Sequence, residues 1–99
     1  MKIEQKIEQI IYKIIGEKNT ELNLSMEKSL KTNIVGGKSQ LDSLGVFSFV
    51  LELEKIIENE FKIDLTLIND DFINDSSNHL DNVKKLKLFL IKEVSKKTV

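Results

Sequence analysis

The chain has no cysteine, no tryptophan and a single histidine, His79. Without cysteine there are no disulfides, no thiolate metal sites and no thiol nucleophile, and nothing marks an oxidising compartment. Proline, alanine and arginine are missing too, so every basic side chain is a lysine. That bias reflects base composition and carries no functional information. Long apolar runs are also absent: the opening stretch MKIEQKIEQIIYKII never passes ten apolar residues without a charge. It therefore reads neither as a signal peptide nor as a membrane span, and a cytoplasmic location is expected.

What remains is enough for a fold. The 99 residues make one domain spanning 1–99, above the roughly 40–70 residues at which small chains need disulfides or metals to hold a core. The net charge of −1 is unevenly spread: residues 1–41 carry +2, residues 42–81 carry −8 and residues 82–99 carry +5. The acidic centre suits a basic protein partner and repels phosphate backbones, so nucleic acid is not an expected partner.

Apolar spacing predicts an all-α chain. Ile3, Ile7, Ile10, Ile11, Ile14 and Ile15 recur every three or four residues among Lys, Glu and Gln, which predicts an amphipathic helix over about 2–18 ending near Gly16 and Asn19. Lys2, Lys6, Lys13, Glu4 and Glu8 form its solvated side. Residues 19–42 read as a long loop whose Leu22, Leu24, Met26, Leu30 and Ile34 dock on the core, since a structureless connection of that length is otherwise unusual. The helical pattern returns over 43–61 with Leu44, Phe47, Val50, Leu51, Leu53, Ile57 and Phe61, an apolar arc wider than one core-facing stripe requires. FKIDL alternates as an extended link would, and Thr66 can cap a short helix over about 66–73. A last helix follows over about 81–95, with Val83, Leu86, Leu90 and Val94, a cap at Asn78 or Asp81, and Lys92, Lys96 and Lys97 toward its C-terminal end. Together these make a small, irregular four-helix bundle with a long loop between its first two helices.

Catalytic chemistry is hard to find. His79, in a polar loop beside Asp81, is the single imidazole that could serve a nucleophile. LDSLG lacks the preceding glycine and strand of a nucleophile elbow. Asp70, Asp71 and Asp75 lack the spacing and turn glycine of a calcium loop, and Gly36-Gly37 lacks the Lys-Ser/Thr pair of a phosphate cradle. The chain is not expected to be an enzyme, and no metal is expected.

One serine stands out. In SQLDSLGVFSFV, Ser43 sits where the second helix begins. Capping alone would explain a serine there, but Asp42 and Ser39 offer the same capping chemistry, and Ser39 with Asp42 fits a capping box. The amides and positive dipole end of a helix start favour a phosphate joined to such an oxygen, so the position suits modification.

LDSLGVFSFVLELE resembles the attachment motif of acyl carrier proteins and of the related peptidyl and aryl carriers: Asp-Ser-Leu followed by an apolar, acidic helix. The resemblance extends over about residues 3–95 through the order of helices, the length and the acidic centre. It implies that Ser43 takes a covalent 4'-phosphopantetheine arm from coenzyme A, transferred by a magnesium-dependent phosphopantetheinyl transferase. The arm would supply the thiol that the chain lacks and carry an acyl or aminoacyl group as a thioester. Asp42 matches the family's acid before the serine, which helps the transferase dock. Leu44, Phe47 and Leu51 match apolar partner contacts and share one helical stripe, and Glu54 stands where carriers use an acid to meet basic partners. The expected partners are the transferase, an acyl-loading ligase or acyltransferase, and downstream acyl-using enzymes, with the carrier itself a monomer. Gly45 and Ser48 depart from the Asp and Glu usual in fatty-acid carriers, and ELEKIIENEF is about one turn longer than the compact pattern, which points to a dedicated pathway. The alternative from another class is a non-catalytic helical adaptor that binds a basic partner through its acidic second helix.

Overall fold

The computed structural model describes residues 2–35, 39–65 and 81–98, except for the side chains of Ser43 and Thr98. Among the described residues there are three helices and no strand: α1 (Ile3–Leu22), α2 (Ser43–Phe61) and α3 (Val83–Thr98). The chain is all-α in these segments. The expected short helix over about 66–73, together with His79, Asp70, Asp71, Asp75 and the Gly36-Gly37 pair, lies outside the described residues.

The apolar periodicity of each helix becomes a buried stripe. Ile7, Ile11, Ile14 and Ile15 of α1 meet Phe49, Val50, Leu53 and Ile57 of α2 and Val83, Leu86, Leu90 and Val94 of α3 in one core. Helix α1 packs on both other helices. Its first turns pair with the end of α2 through Lys6 and Glu60 at 3.3 Å, and its fifth turn meets Ser48 and Glu52 near the start of α2. The two helices therefore run antiparallel. Glu8 reaches Lys87 of α3 at 3.4 Å, so part of the expected solvated side of α1 is tied across to its neighbours.

Helix α1 runs one turn past its expected end. A mid-helix glycine costs only about 1 kcal/mol, which the surrounding isoleucine burial outweighs. A Cβ at Gly16 would lie 3.3 Å from Lys28 Nζ, the flexible end of an exposed side chain, so packing does not require glycine at this position. Asn19 stays helical and uses its amide as a clamp: its Nδ2 donates to Met26 O at 3.0 Å, and its Oδ1 accepts from Met26 N–H at 2.8 Å. The helix stops at Asn23, whose φ of 56° is left-handed and whose N–H bonds Asn19 O, a C-terminal geometry that asparagine tolerates well.

The connection folds back over the core. Met26, Ile34 and Leu41 are buried, and Leu24 and Leu30 pack against the cluster. Leu22 is the exception, since it belongs to α1 and is 47% exposed. The connection also closes the start of α3: Val83 N–H donates to Thr32 O and Lys84 N–H to Leu30 O, both at 3.0 Å, and an isolated antiparallel bridge joins Asn33 to Asn82. These carbonyls satisfy amides that a helix start leaves without partners. The side-chain cap is Asn82, whose Oδ1 accepts from Lys85 N–H at 2.9 Å. Asp81, an expected cap, instead pairs with Lys85 Nζ at 3.1 Å, and Asn78 lies outside the described residues. Lys96 and Lys97 occupy the last turn, where they favour the negative dipole end. No described helix is long and apolar enough to cross a membrane.

Candidate functional site

The site is built on the first two turns of α2. Asp42 is the N-cap, in extended backbone, and its Oδ1 accepts from Gly45 N–H at 2.7 Å. Its carbonyl accepts from Val46 N–H at 2.9 Å. Capping therefore belongs to Asp42, and Ser43 is the first helical residue. Ser39 does not form the capping box: its hydroxyl donates to Ile34 O at 2.6 Å and accepts from Leu41 N–H at 3.1 Å. That bonding draws Ser39 into the loop before α2 and leaves the helix start to Asp42.

Gly45 explains itself in this setting. A Cβ there would approach Leu41 Cδ2 to 3.0 Å and Asp42 Oδ1 to 3.2 Å. The missing side chain lets the buried Leu41 fold over the helix start while the Asp42 carboxylate reaches its amide.

On either side of Ser43 the chain faces solvent. Asp42 is exposed and Leu44 is 80% exposed. Phe47, one turn on, is 47% exposed, and Leu51 is half-buried. The wide apolar arc of α2 is thus divided: Phe49, Val50, Leu53 and Ile57 face the core, and Leu44 and Phe47 face outward. Among the described residues, Leu44 and Phe47 are two of only four large apolar side chains so exposed, and both flank the helix start. Glu54 is half-buried and is not a free carboxylate.

Much of the acidic run is engaged within the fold. Glu52 binds Lys18 at 2.7 Å, Glu60 binds Lys6 at 3.3 Å, and Glu58 Oε2 accepts from Leu65 N–H at 3.0 Å. These three carboxylates of α2 are thus partly offset by partners within the fold.

Lys18 is the residue that sequence reasoning passed over. It is 1% exposed, and its Nζ donates to Ser48 Oγ at 2.7 Å, Glu52 Oε1 at 2.7 Å and Glu21 Oε2 at 3.1 Å. Burial pushes its pKa down, but the hydrogen bonds and charges of Glu52 and Glu21 outweigh that and leave it above the ordinary 10.5. It stays an ammonium, so it is a fastener between helices and not a nucleophile. The signal was present: Lys18 falls three and four residues after Ile15 and Ile14, on the buried stripe itself. Ser48, a departure from the carrier pattern, is one of its three acceptors.

Among the described residues no cluster of acidic or histidine side chains could hold a metal ion. Compared with known proteins, the chain matches no family model, no curated protein and no solved structure.

Proposed function

We propose that the protein is an acyl carrier: Ser43 bears a 4'-phosphopantetheine arm, and the protein delivers an acyl or aminoacyl thioester to partner enzymes of a dedicated pathway. The observation that carries this reading is the exposure of both neighbours of Ser43 at the first turn of a 19-residue helix, with Asp42 and Leu44 open to a docking enzyme. Asp42 and Leu44, the two neighbours of Ser43, are exposed at a helix start whose dipole favours a phosphodiester, which supports the reading. The reading brings with it the four-helix bundle of carrier proteins.

The chemistry asks little of the chain. The serine oxygen forms a new bond to the phosphorus next to the pantetheine of coenzyme A, the pyrophosphate bond breaks, adenosine 3',5'-bisphosphate leaves, and the transferase takes the serine proton. The bound arm contributes the reactive thiol, and the protein contributes position and recognition. Asp42 holds Gly45 N–H with one oxygen and presents its carboxylate beside Ser43. Leu44 and Phe47 offer apolar contacts to the transferase and to later partners. The adaptor reading is the weaker one, because Glu52, Glu58 and Glu60 already have partners within the fold.

Incubation with coenzyme A, magnesium and a broad-specificity transferase is expected to add the mass of one phosphopantetheinyl group. Ser43→Ala is expected to abolish the gain without loss of helicity. An unchanged mass with several transferases overturns the reading.

A further inference from the structure

We propose that a groove on the connection between α1 and α2 is a resting site for the pantetheine segment of the arm; this rests on Ser43 being the attachment point. The open groove has a volume of about 260 Å³, and Ser25, Met26, Glu27, Lys31, Thr32 and Gln40 are among the residues that line it. It is small for a whole ligand, since drug-sized pockets run from about 300 Å³ upward, and it fits a segment of one.

Hydrogen bonds hold part of its lining in place. The Asn19 amide clamps Met26 from both sides. Gln40 Oε1 accepts from Ser25 N–H at 2.9 Å and so joins the end of the connection to its beginning. Thr32 Oγ1 donates to Glu27 O at 2.7 Å. These bonds leave Gln40 Nε2, Lys31 Nζ and the Glu27 carboxylate without partners among the described residues. Donors and an acceptor together on a polar wall match a neutral chain of amides and a hydroxyl, which is the chemistry of pantetheine. The Glu27 carboxylate disfavours the phosphate, which stays at Ser43.

Reach and affinity agree with this placement. Gln40 lies three residues before Ser43, a separation of at most about 11 Å along the chain. The arm has about fourteen chain atoms from phosphorus to sulfur and spans on the order of 15 Å at the same reach per atom. A short flexible tether gives an effective concentration in the millimolar range. An open groove with a dissociation constant of about 1 mM would then hold the arm in about half of the molecules, although the same ligand free in solution would scarcely bind.

The absence of cysteine makes the test clean, because the arm carries the sole thiol. The transferase-modified protein is labelled at that thiol with a maleimide nitroxide, and paramagnetic broadening of backbone amides is measured by NMR. Amides of Ser25, Lys31 and Gln40 are expected to broaden several-fold more than those of Val46 and Phe47, which lie about 5–6 Å from Ser43 along α2 and which a freely moving arm would reach at least as often. Ser25→Phe fills the groove from a residue whose N–H, not its side chain, holds Gln40, and is expected to remove that excess while modification proceeds normally. Lys31→Trp, at another lining residue, serves the same purpose if the first variant folds poorly. Broadening that spares the groove, or that neither variant changes, overturns the groove and leaves the carrier intact. A failure to gain the phosphopantetheinyl mass overturns both.

Discussion

Replacing Lys18 tests how α1 and α2 are held in register. Lys18→Ala removes three buried methylenes beyond Cβ, worth about 0.8 kcal/mol each, or roughly 2 kcal/mol. It also removes three charge-assisted hydrogen bonds. Each such bond can contribute about 1.5–3 kcal/mol, and a partner left buried and unpaired raises the cost of its loss. Here the carboxylates are not stranded: Glu21 is 53% exposed and Glu52 is 33% exposed, so both recover water. The polar loss is therefore nearer about 1 kcal/mol in total, well below the 3–5 kcal/mol typical of a broken, fully buried pair. Lys18→Ala is expected to cost about 3 kcal/mol, and Lys18→Met, which keeps the stem, about 1 kcal/mol. At about 4–8 °C per kcal/mol for a domain of this size, the midpoints fall by roughly 12–24 °C and 4–8 °C. Thermal melts followed by circular dichroism and urea titrations at pH 7 measure both. The pH dependence has a definite sign. Because the folded pKa of Lys18 lies above 10.5, the stabilisation is complete below the unfolded value and is lost as pH rises through the folded one. The gap between wild type and Lys18→Met should close above that range and persist at neutral pH. Equal losses for the two variants, or a loss under about 1 kcal/mol for Lys18→Ala, would refute the account.

Two further predictions concern the start of α2. Gly45→Ala gains part of the roughly 1 kcal/mol of helix propensity but pushes on Leu41 and on the Asp42 cap, itself worth about 0.5–2 kcal/mol; a net loss of roughly 0.5–1 kcal/mol in urea titrations is expected, and a stabilised variant would show that Leu41 yields freely. Leu44→Ala, at an 80% exposed position, should leave stability within about 0.5 kcal/mol while slowing transferase modification and acyl loading; unchanged rates would mean that the outward apolar stripe is not the contact surface.

The helices were legible because their burial is periodic. Ile7, Ile11 and Ile14 in α1, or Val83, Leu86, Leu90 and Val94 in α3, announce one face each. The ends were harder to read, because they are decided by contacts distant in sequence. Helix α1 passes Gly16 and Asn19 because the isoleucine stripe stays buried and Asn19 clamps Met26, and the cap of α3 falls to Asn82 because residues 30–34 meet it there. At the candidate site, the triplet around Ser43 is local and can be read directly, while the division of labour between Asp42 and Ser39 depends on Ile34 and Leu41. Lys18 illustrates the opposite failure. A charged residue on an apolar stripe looks like the edge of a helix until its three acceptors are seen.

The carbonyls that Leu30 and Thr32 lend to Val83 and Lys84 have a mechanical consequence. The connection and the first turn of α3 share backbone hydrogen bonds, so drawing the connection away strips those amides of their acceptors. A partner that grips the segment between the first two helices would thereby loosen the third at its root, far along the chain from the point of contact.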